Sequence, residues 1–144
     1  MTELLQLAGI ELNATASSRE EAVVFCGNKL VSLGAVSPEY VSAMWQREQA
    51  LSSGLGMGFA IPHGTDASRK YVLFDQLVFV RFGEPISWED QDVRVCIAIA
   101  AKGDAHVDIL GNLADLMLDE NASSRLMTST SKQEILDLIT GGKP

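Results

Sequence analysis

The run Val93-Arg94-Val95-Cys96-Ile97-Ala98-Ile99-Ala100-Ala101 is apolar at almost every position. Successive side chains of a strand point to opposite faces, so a run without alternation belongs to a strand covered on both faces. A second β-rich run, Gln76-Leu77-Val78-Phe79-Val80-Arg81-Phe82, precedes it, which places a sheet in the middle of the chain. The flanking segments have helical periodicity. Ser17-Ser18-Arg19-Glu20 reads as a capping box ahead of Ala22, Val23, Cys26, Leu30 and Leu33 on one helical face, and Gly34 ends that helix. Ser37-Pro38-Glu39 offers an N-cap, a proline at the first helical position and an acid in the first turn, opening a helix with Val41, Met44 and Trp45 on its apolar face and Arg47 near its far end. After Lys102-Gly103, Asp104 is the predicted N-cap of a helix carrying Val107, Leu110, Leu113, Ala114, Met117 and Leu118, with His106 in its first turn. A last helix opens at the capping box Ser131-Lys132-Gln133-Glu134 and stops at Gly141-Gly142.

No repeat, linker or shift in composition divides the 144 residues. Helices on both sides of a central run of strands predict one α/β domain over residues 1–144: a mixed parallel/antiparallel sheet flanked by helices on both faces. Its 47% hydrophobic content suffices for one full core. With 11 basic against 19 acidic residues the formal charge is −8, which argues against a nucleic-acid partner, since affinity for a phosphate backbone rests on clustered Lys and Arg. The N-terminus lacks a basic segment followed by a long apolar one, and no run approaches about 18 apolar residues, so a cytoplasmic chain without membrane insertion is expected. Cys26 and Cys96 lie far apart without CxxC spacing and are expected as reduced core residues.

Chemistry concentrates in Gly54-Leu55-Gly56-Met57-Gly58-Phe59-Ala60-Ile61-Pro62-His63-Gly64-Thr65. Pro62 has no N–H and Gly64 tolerates unusual dihedrals, so strand pairing is expected to stop there and the imidazole of His63 to project from a strand end, where ligands of α/β sheets collect. Taken singly, a histidine beside Pro-Gly is a turn residue, Arg47 is a solvated helix charge and His106 caps or packs. The glycines at 54, 56 and 58 lack a phosphate-loop context and fit bulge and turn geometry. A metal site built from Asp104, His106 and Asp108 with His63 is disfavoured, because helical geometry turns those three residues in different directions.

As a set, these features are more specific. The helix start Arg19 to Ala22, the segment Val36 to Glu48, the Gly54–Thr65 segment and Ala101 to Leu110 together resemble the IIA component of the phosphoenolpyruvate-dependent sugar phosphotransferase system, in its mannitol/fructose-type class and most of all its free-standing mannitol members. The resemblance implies that His63 accepts a phosphoryl group from the carrier protein HPr and passes it to a IIB domain, on a cysteine in the mannitol system, of a membrane IIBC permease. It maps the family's second histidine onto His106 and its active-site arginine onto Arg47. Members of this class can carry a polar or acidic residue where Met57 stands.

Elementary chemistry agrees with those roles. A neutral imidazole, with an unperturbed pKa of about 6.5, is a nucleophile that can take and return phosphate. The family's pattern is attack by Nε2 with Nδ1 hydrogen-bonded to backbone. Arg47 has the planar donor fork that suits phosphoryl oxygens. His106 at a helix N-terminus would meet anions in a positive field that lowers its own pKa. Gly64 and Thr65 are candidate phosphate-binding residues, although Thr65 could instead cap the segment after it. Met57 and Phe59, if exposed, would offer apolar area to a transient partner. No cofactor, ATP or divalent ion is implied, since the donor is itself a phosphohistidine. A regulatory module like the family's nitrogen-type relatives, in which phosphorylation controls protein partners, is the alternative.

Overall fold

Along the chain, the computed structural model forms β1 (Ile10–Ala14), α1 (Arg19–Ser32), α2 (Glu39–Ala50), β2 (Gly54–Gly56), β3 (Phe59–Ala60), β4 (Gln76–Trp88), β5 (Gln91–Ala100), α3 (Ala105–Leu118), α4 (Glu120–Thr128) and α5 (Lys132–Ile139), with short 3-10 helices at Leu7–Gly9 and Asp66–Tyr71. It describes residues 4–89, 91–103 and 105–140, and of residues 105–107 the backbone alone. The five strands form one mixed sheet in the order β1-β4-β5-β3-β2. β1 runs parallel to β4 and β3 parallel to β5, whereas β4–β5 and β2–β3 are antiparallel.

β4 and β5 are central, and their alternation divides the core. Val78, Val80, Phe82, Cys96, Ala98 and Ala100 join the cluster under α1 and α2. Leu77, Phe79, Val95, Ile97 and Ile99 join the other cluster, under α3, α4 and α5. Both parities of β5 are therefore buried, as its apolar run predicts. At about 1.5–3 kcal/mol for each large apolar side chain removed from water, these two clusters dominate the stability of the fold. On the first face α1 lies close to α2, because a Cβ on Gly27 would sit 3.1 Å from Val41. Cys26 and Cys96 are buried free thiols. Burial pushes the Cys96 thiol well up, with the neighbouring Cys26 adding to the shift.

Several local expectations shift. The first capping box is one residue later: Ser18 Oγ accepts from Glu21 N at 3.1 Å, and the Glu21 carboxylate returns to Ser17 N at 3.2 Å. Ser37 does not cap α2. Its amide donates to Tyr71 O at 2.9 Å, beside the Val36–Val72 bridge, and its hydroxyl is buried without a hydrogen-bond partner among the described residues, so Pro38 takes the cap position. The buried face of α2 is Tyr40, Ala43, Met44 and Glu48; Val41 turns toward α1, and Trp45 is partly exposed with the Arg19 guanidinium 5.1 Å from its ring. β4 outruns Phe82 through a register break between Arg81 and Ile86, where Pro85, which has no N–H to pair, is tolerated. Arg94 bridges that break by donating to Phe82 O and Gly83 O, each at 3.2 Å. At Ser131 the predicted cap forms, with Ser131 Oγ accepting from Glu134 N at 3.1 Å, but the return half of the box does not: Ser131 N donates to Ser129 Oγ at 3.1 Å, and the Glu134 carboxylate accepts from that same hydroxyl. The predicted cap Asp104 and stop Gly141-Gly142 lie outside the described residues.

Candidate functional site

Strand pairing does not end at Pro62. Pro62 cannot donate, but its carbonyl accepts from Ile99 N at 2.9 Å, and His63 forms a parallel bridge with Ile99. Upstream, Ile61 N donates to Ser53 O at 3.1 Å. The histidine is thus carried on a fixed extension of β3, beside the C-terminal end of β5, where parallel strands open onto a crevice.

The ring is oriented by its own strand. His63 Nδ1 lies 2.8 Å from Ile61 O. A carbonyl oxygen can only accept, so Nδ1 carries the proton, and in the neutral ring the lone pair belongs to Nε2. That is the tautomer a nucleophile acting through Nε2 requires.

Gly64 serves through close approach. Its φ is not in the left-handed region, contrary to the expectation of unusual dihedrals. A Cβ here would fall 2.5 Å from the Tyr40 ring and would collide with Ser68 Oγ. The Gly64 amide donates to Tyr40 Oη at 2.8 Å, and that hydroxyl donates to Ile99 O at 2.9 Å. Tyr40, 3% exposed, therefore clamps the histidine loop to β5. Burial raises the Tyr40 phenol above its ordinary value, against smaller opposing effects from the Gly64 amide and the Arg69 charge, which keeps the hydroxyl a donor. Thr65 makes no side-chain cap to the 3-10 helix that follows; instead Ser68 donates its amide and its hydroxyl, at 3.1 and 2.6 Å, to Thr65 O.

These groups border a cavity of about 570 Å³ that brings together His63, Gly64, Thr65 and Arg47, with Arg69 and Ser53 also in its wall. Arg47, in the last turn of α2, donates from Nη1 to Leu51 O at 2.7 Å. The next residue, Glu48, is 1% exposed and turned into the core. Its carboxylate accepts from Ser53 N at 2.7 Å, Ser53 Oγ at 2.5 Å and Trp88 Nε1 at 2.9 Å. Consecutive residues of α2 thus hold the two ends of the Leu51–Ser53 turn. His106 lies in the first turn of α3, with its side chain outside the described residues; farther along α3, Leu110 lines the cavity. Phe59 is buried at 1% exposure and offers nothing to a partner, whereas Met57 is 59% exposed. Met57 takes a left-handed φ of 58° between Gly56 and Gly58, which are left-handed too, as the expectation of turn geometry requires. Among the described residues no group of three or more metal-binding side chains occurs, and the candidate ligands Asp104 and His106 fall outside them.

Tyr40, Glu48 and Arg69 were not singled out in the sequence. Tyr40 had a signal, since residues 40, 44 and 47 recur at helical spacing and put the tyrosine on the Arg47 side of α2. Glu48 had none: an acid beside an arginine near a helix end reads as solvated.

The family described as the phosphoenolpyruvate-dependent sugar phosphotransferase system, EIIA 2, matches residues 3–141. The mannitol-specific phosphotransferase enzyme IIA component of Halalkalibacterium halodurans is 40% identical over 136 residues, covering 94% of both chains. The protein of the same description from Staphylococcus aureus is 36% identical over 135 residues, again covering 94% of both. Among solved structures, the crystal structure of IIA mannitol from Escherichia coli superposes with a TM-score of 0.85 at 36% identity, covering 93% of this chain and 97% of that one. A complex of enzyme IIA with phosphorylated enzyme IIB, both mannitol-type and from Escherichia coli, superposes at 0.87 with 36% identity, covering 96% of this chain and 99% of that one.

Proposed function

The chain belongs to the EIIA 2 family of the phosphoenolpyruvate-dependent sugar phosphotransferase system, on the mannitol side of it, and from that premise we propose that His63 takes a phosphoryl group from phospho-HPr and hands it to a IIB domain. The observation that carries the reading is the Nδ1 contact with Ile61 O at 2.8 Å, which directs the lone pair to Nε2 in a cavity walled by Arg47.

Nε2 attacks the phosphorus of the donor's phosphohistidine. The donor's N–P bond breaks, its electron pair stays on the donor ring, and the positive charge of that ring passes to His63 as the new Nε2–P bond forms. Nδ1 keeps its proton throughout, and the Ile61 carbonyl stabilises the charged ring. Arg47 donates to the equatorial oxygens, and the Thr65 hydroxyl, which is not spent on capping, adds a hydrogen bond. Gly64, whose amide is engaged by Tyr40, contributes by letting the loop close onto that tyrosine. His106 donates to the phosphoryl group from the first turn of α3. In the second half-reaction a IIB cysteine thiolate attacks phosphorus, and the electron pair of the N–P bond returns to Nε2. The mannitol IIA–phospho-IIB complex and a Vibrio cholerae mannitol-specific EIICBA protein, of which the matching part is 21%, support this partnership. Among the described residues no helix is long and apolar enough to cross a membrane.

The test is incubation with phosphoenolpyruvate, enzyme I and HPr. Intact mass is expected to show one acid-labile phosphoryl group, lost in His63→Ala and retained in His106→Ala. The reverse pattern overturns the assignment. Onward transfer to a mannitol IIB in preference to a fructose IIB fixes the sugar class, and failure with every sugar IIB favours the regulatory alternative.

A further inference from the structure

We propose that Arg69 is a second anchor for the phosphoryl group on His63, acting beside Arg47 from a different element. The inference rests on His63 being the phosphoryl acceptor. Arg69 belongs to the 3-10 helix Asp66–Tyr71 that follows the histidine loop directly, and it lines the same cavity as His63 and Arg47. That helix is well held: Ser68 is 2% exposed and donates twice to Thr65 O, and Val72 N donates to Arg69 O at 3.0 Å. The guanidinium is therefore delivered on a firm base.

Arg69 pairs with Asp66 at 3.4 Å, but the Asp66 side chain is 97% exposed and that of Arg69 34% exposed. An ion pair so open to water contributes little, and a stronger anion competes with Asp66 for the guanidinium. A phosphoryl group is such an anion, with about −1.5 to −2 charges and three acceptor oxygens against the single positive charge of Arg47. Arg47 also has one N–H committed to Leu51 O. A second planar donor fork completes both the charge balance and the set of equatorial hydrogen bonds that phosphoryl transfer requires. The Arg69 charge is felt at the Tyr40 hydroxyl, which binds the Gly64 amide, so its field reaches the histidine loop.

The experiment labels His63 by two routes, the phospho-HPr relay and the small donor phosphoramidate, in wild type, Arg69→Ala, Arg69→Gln, Arg69→Lys and Asp66→Asn, with thermal melts to confirm folding. The readouts are initial labelling rates and the 31P resonance of the phosphohistidine. Loss of one charge-assisted contact is expected to slow labelling of Arg69→Ala and Arg69→Gln on the order of tenfold by both routes and to move the 31P resonance. Lysine is expected to restore part of the rate, and Asp66→Asn to keep it. An unmoved resonance with full phosphoramidate labelling overturns the proposal, and a defect confined to KM for phospho-HPr then assigns Arg69 to docking. Wild-type protein labelled elsewhere than His63 defeats the acceptor assignment itself, an outcome read before any variant is compared.

Discussion

Glu48 and Arg81 are buried charges whose described hydrogen-bond partners are all neutral, and they sit on opposite faces of the sheet. Glu48 collects two donors from Ser53 and one from Trp88. Arg81 spreads its donors over Leu12 O at 3.3 Å, Leu126 O at 3.0 Å and Ser129 O at 2.6 Å. Burial, with the nearby Arg94 charge, lowers the Arg81 pKa below its ordinary value, but from so high a start that the group stays charged at neutral pH. A buried charge costs several kcal/mol unless hydrogen bonds replace its water, and both residues meet that condition. What differs is what they hold. Glu48 fixes a turn in the cavity wall, next to Arg47, whereas Arg81 ties β1 and β4 to the joint between α4 and α5. The same device supports the chemistry on one face and the fold on the other.

The sharpest way to break this comparison is Arg81→Met, which keeps the volume but leaves three carbonyls without their donor. Urea unfolding is expected to show a loss of about 3 kcal/mol, while phosphoryl transfer per folded molecule stays at the wild-type rate. A transfer defect in the folded variant would erase the distinction. Glu48→Gln is expected to cost less, about 1–2 kcal/mol, because the amide retains one acceptor while its NH2 opposes one of the donors now facing the carboxylate. Transfer should nevertheless fall several-fold, since the Ser53 turn beside Arg47 loosens. An unaltered rate would reduce Glu48 to a purely structural group.

The smallest effect concerns the α4–α5 joint. Glu134 is held below the usual carboxylate range by the Ser129 hydroxyl first and by Arg125 second, and Ser129 O is also an Arg81 acceptor. A folded pKa below the unfolded one gives stability that is present above the unfolded value, about 4.3, and is lost as pH falls through the folded value. Thermal melts between pH 6 and pH 3 are expected to show Glu134→Gln converging on wild type at the acid end. A constant gap would show that the carboxylate charge is irrelevant to the joint.

Much of this was legible in the residues themselves. The apolar run of β5 announced a doubly covered strand, the capping box at Ser131 announced α5, and the Pro-His-Gly segment led to the cavity. Other elements were hidden for physical reasons. β1, Ile10–Ala14, buries its two end residues and leaves the interior partly exposed, so no alternation shows. α4 is nine residues of mostly polar sequence, stabilised by the Asp119 cap and by packing of Ala122 and Leu126. β4 runs on through Gly83-Glu84-Pro85, a string that reads as a stop because the arginine that bridges the break comes from β5. Ser37 looked like a cap, but a backbone bridge formed at long range had already set its direction. Glu48 and Arg81 were unreadable as buried charges because their partners lie 5 to 69 residues away in sequence.

The acceptor that orients His63 is a main-chain oxygen two positions upstream, and every amino acid supplies one. Replacing the side chain at position 61 therefore cannot delete the contact; only a change in the path of the strand can. The handedness of the nucleophile, which of its nitrogens faces a visitor, is thus insulated from point mutation, leaving the surrounding wall at liberty to drift toward new partners while the reactive atom keeps its aim.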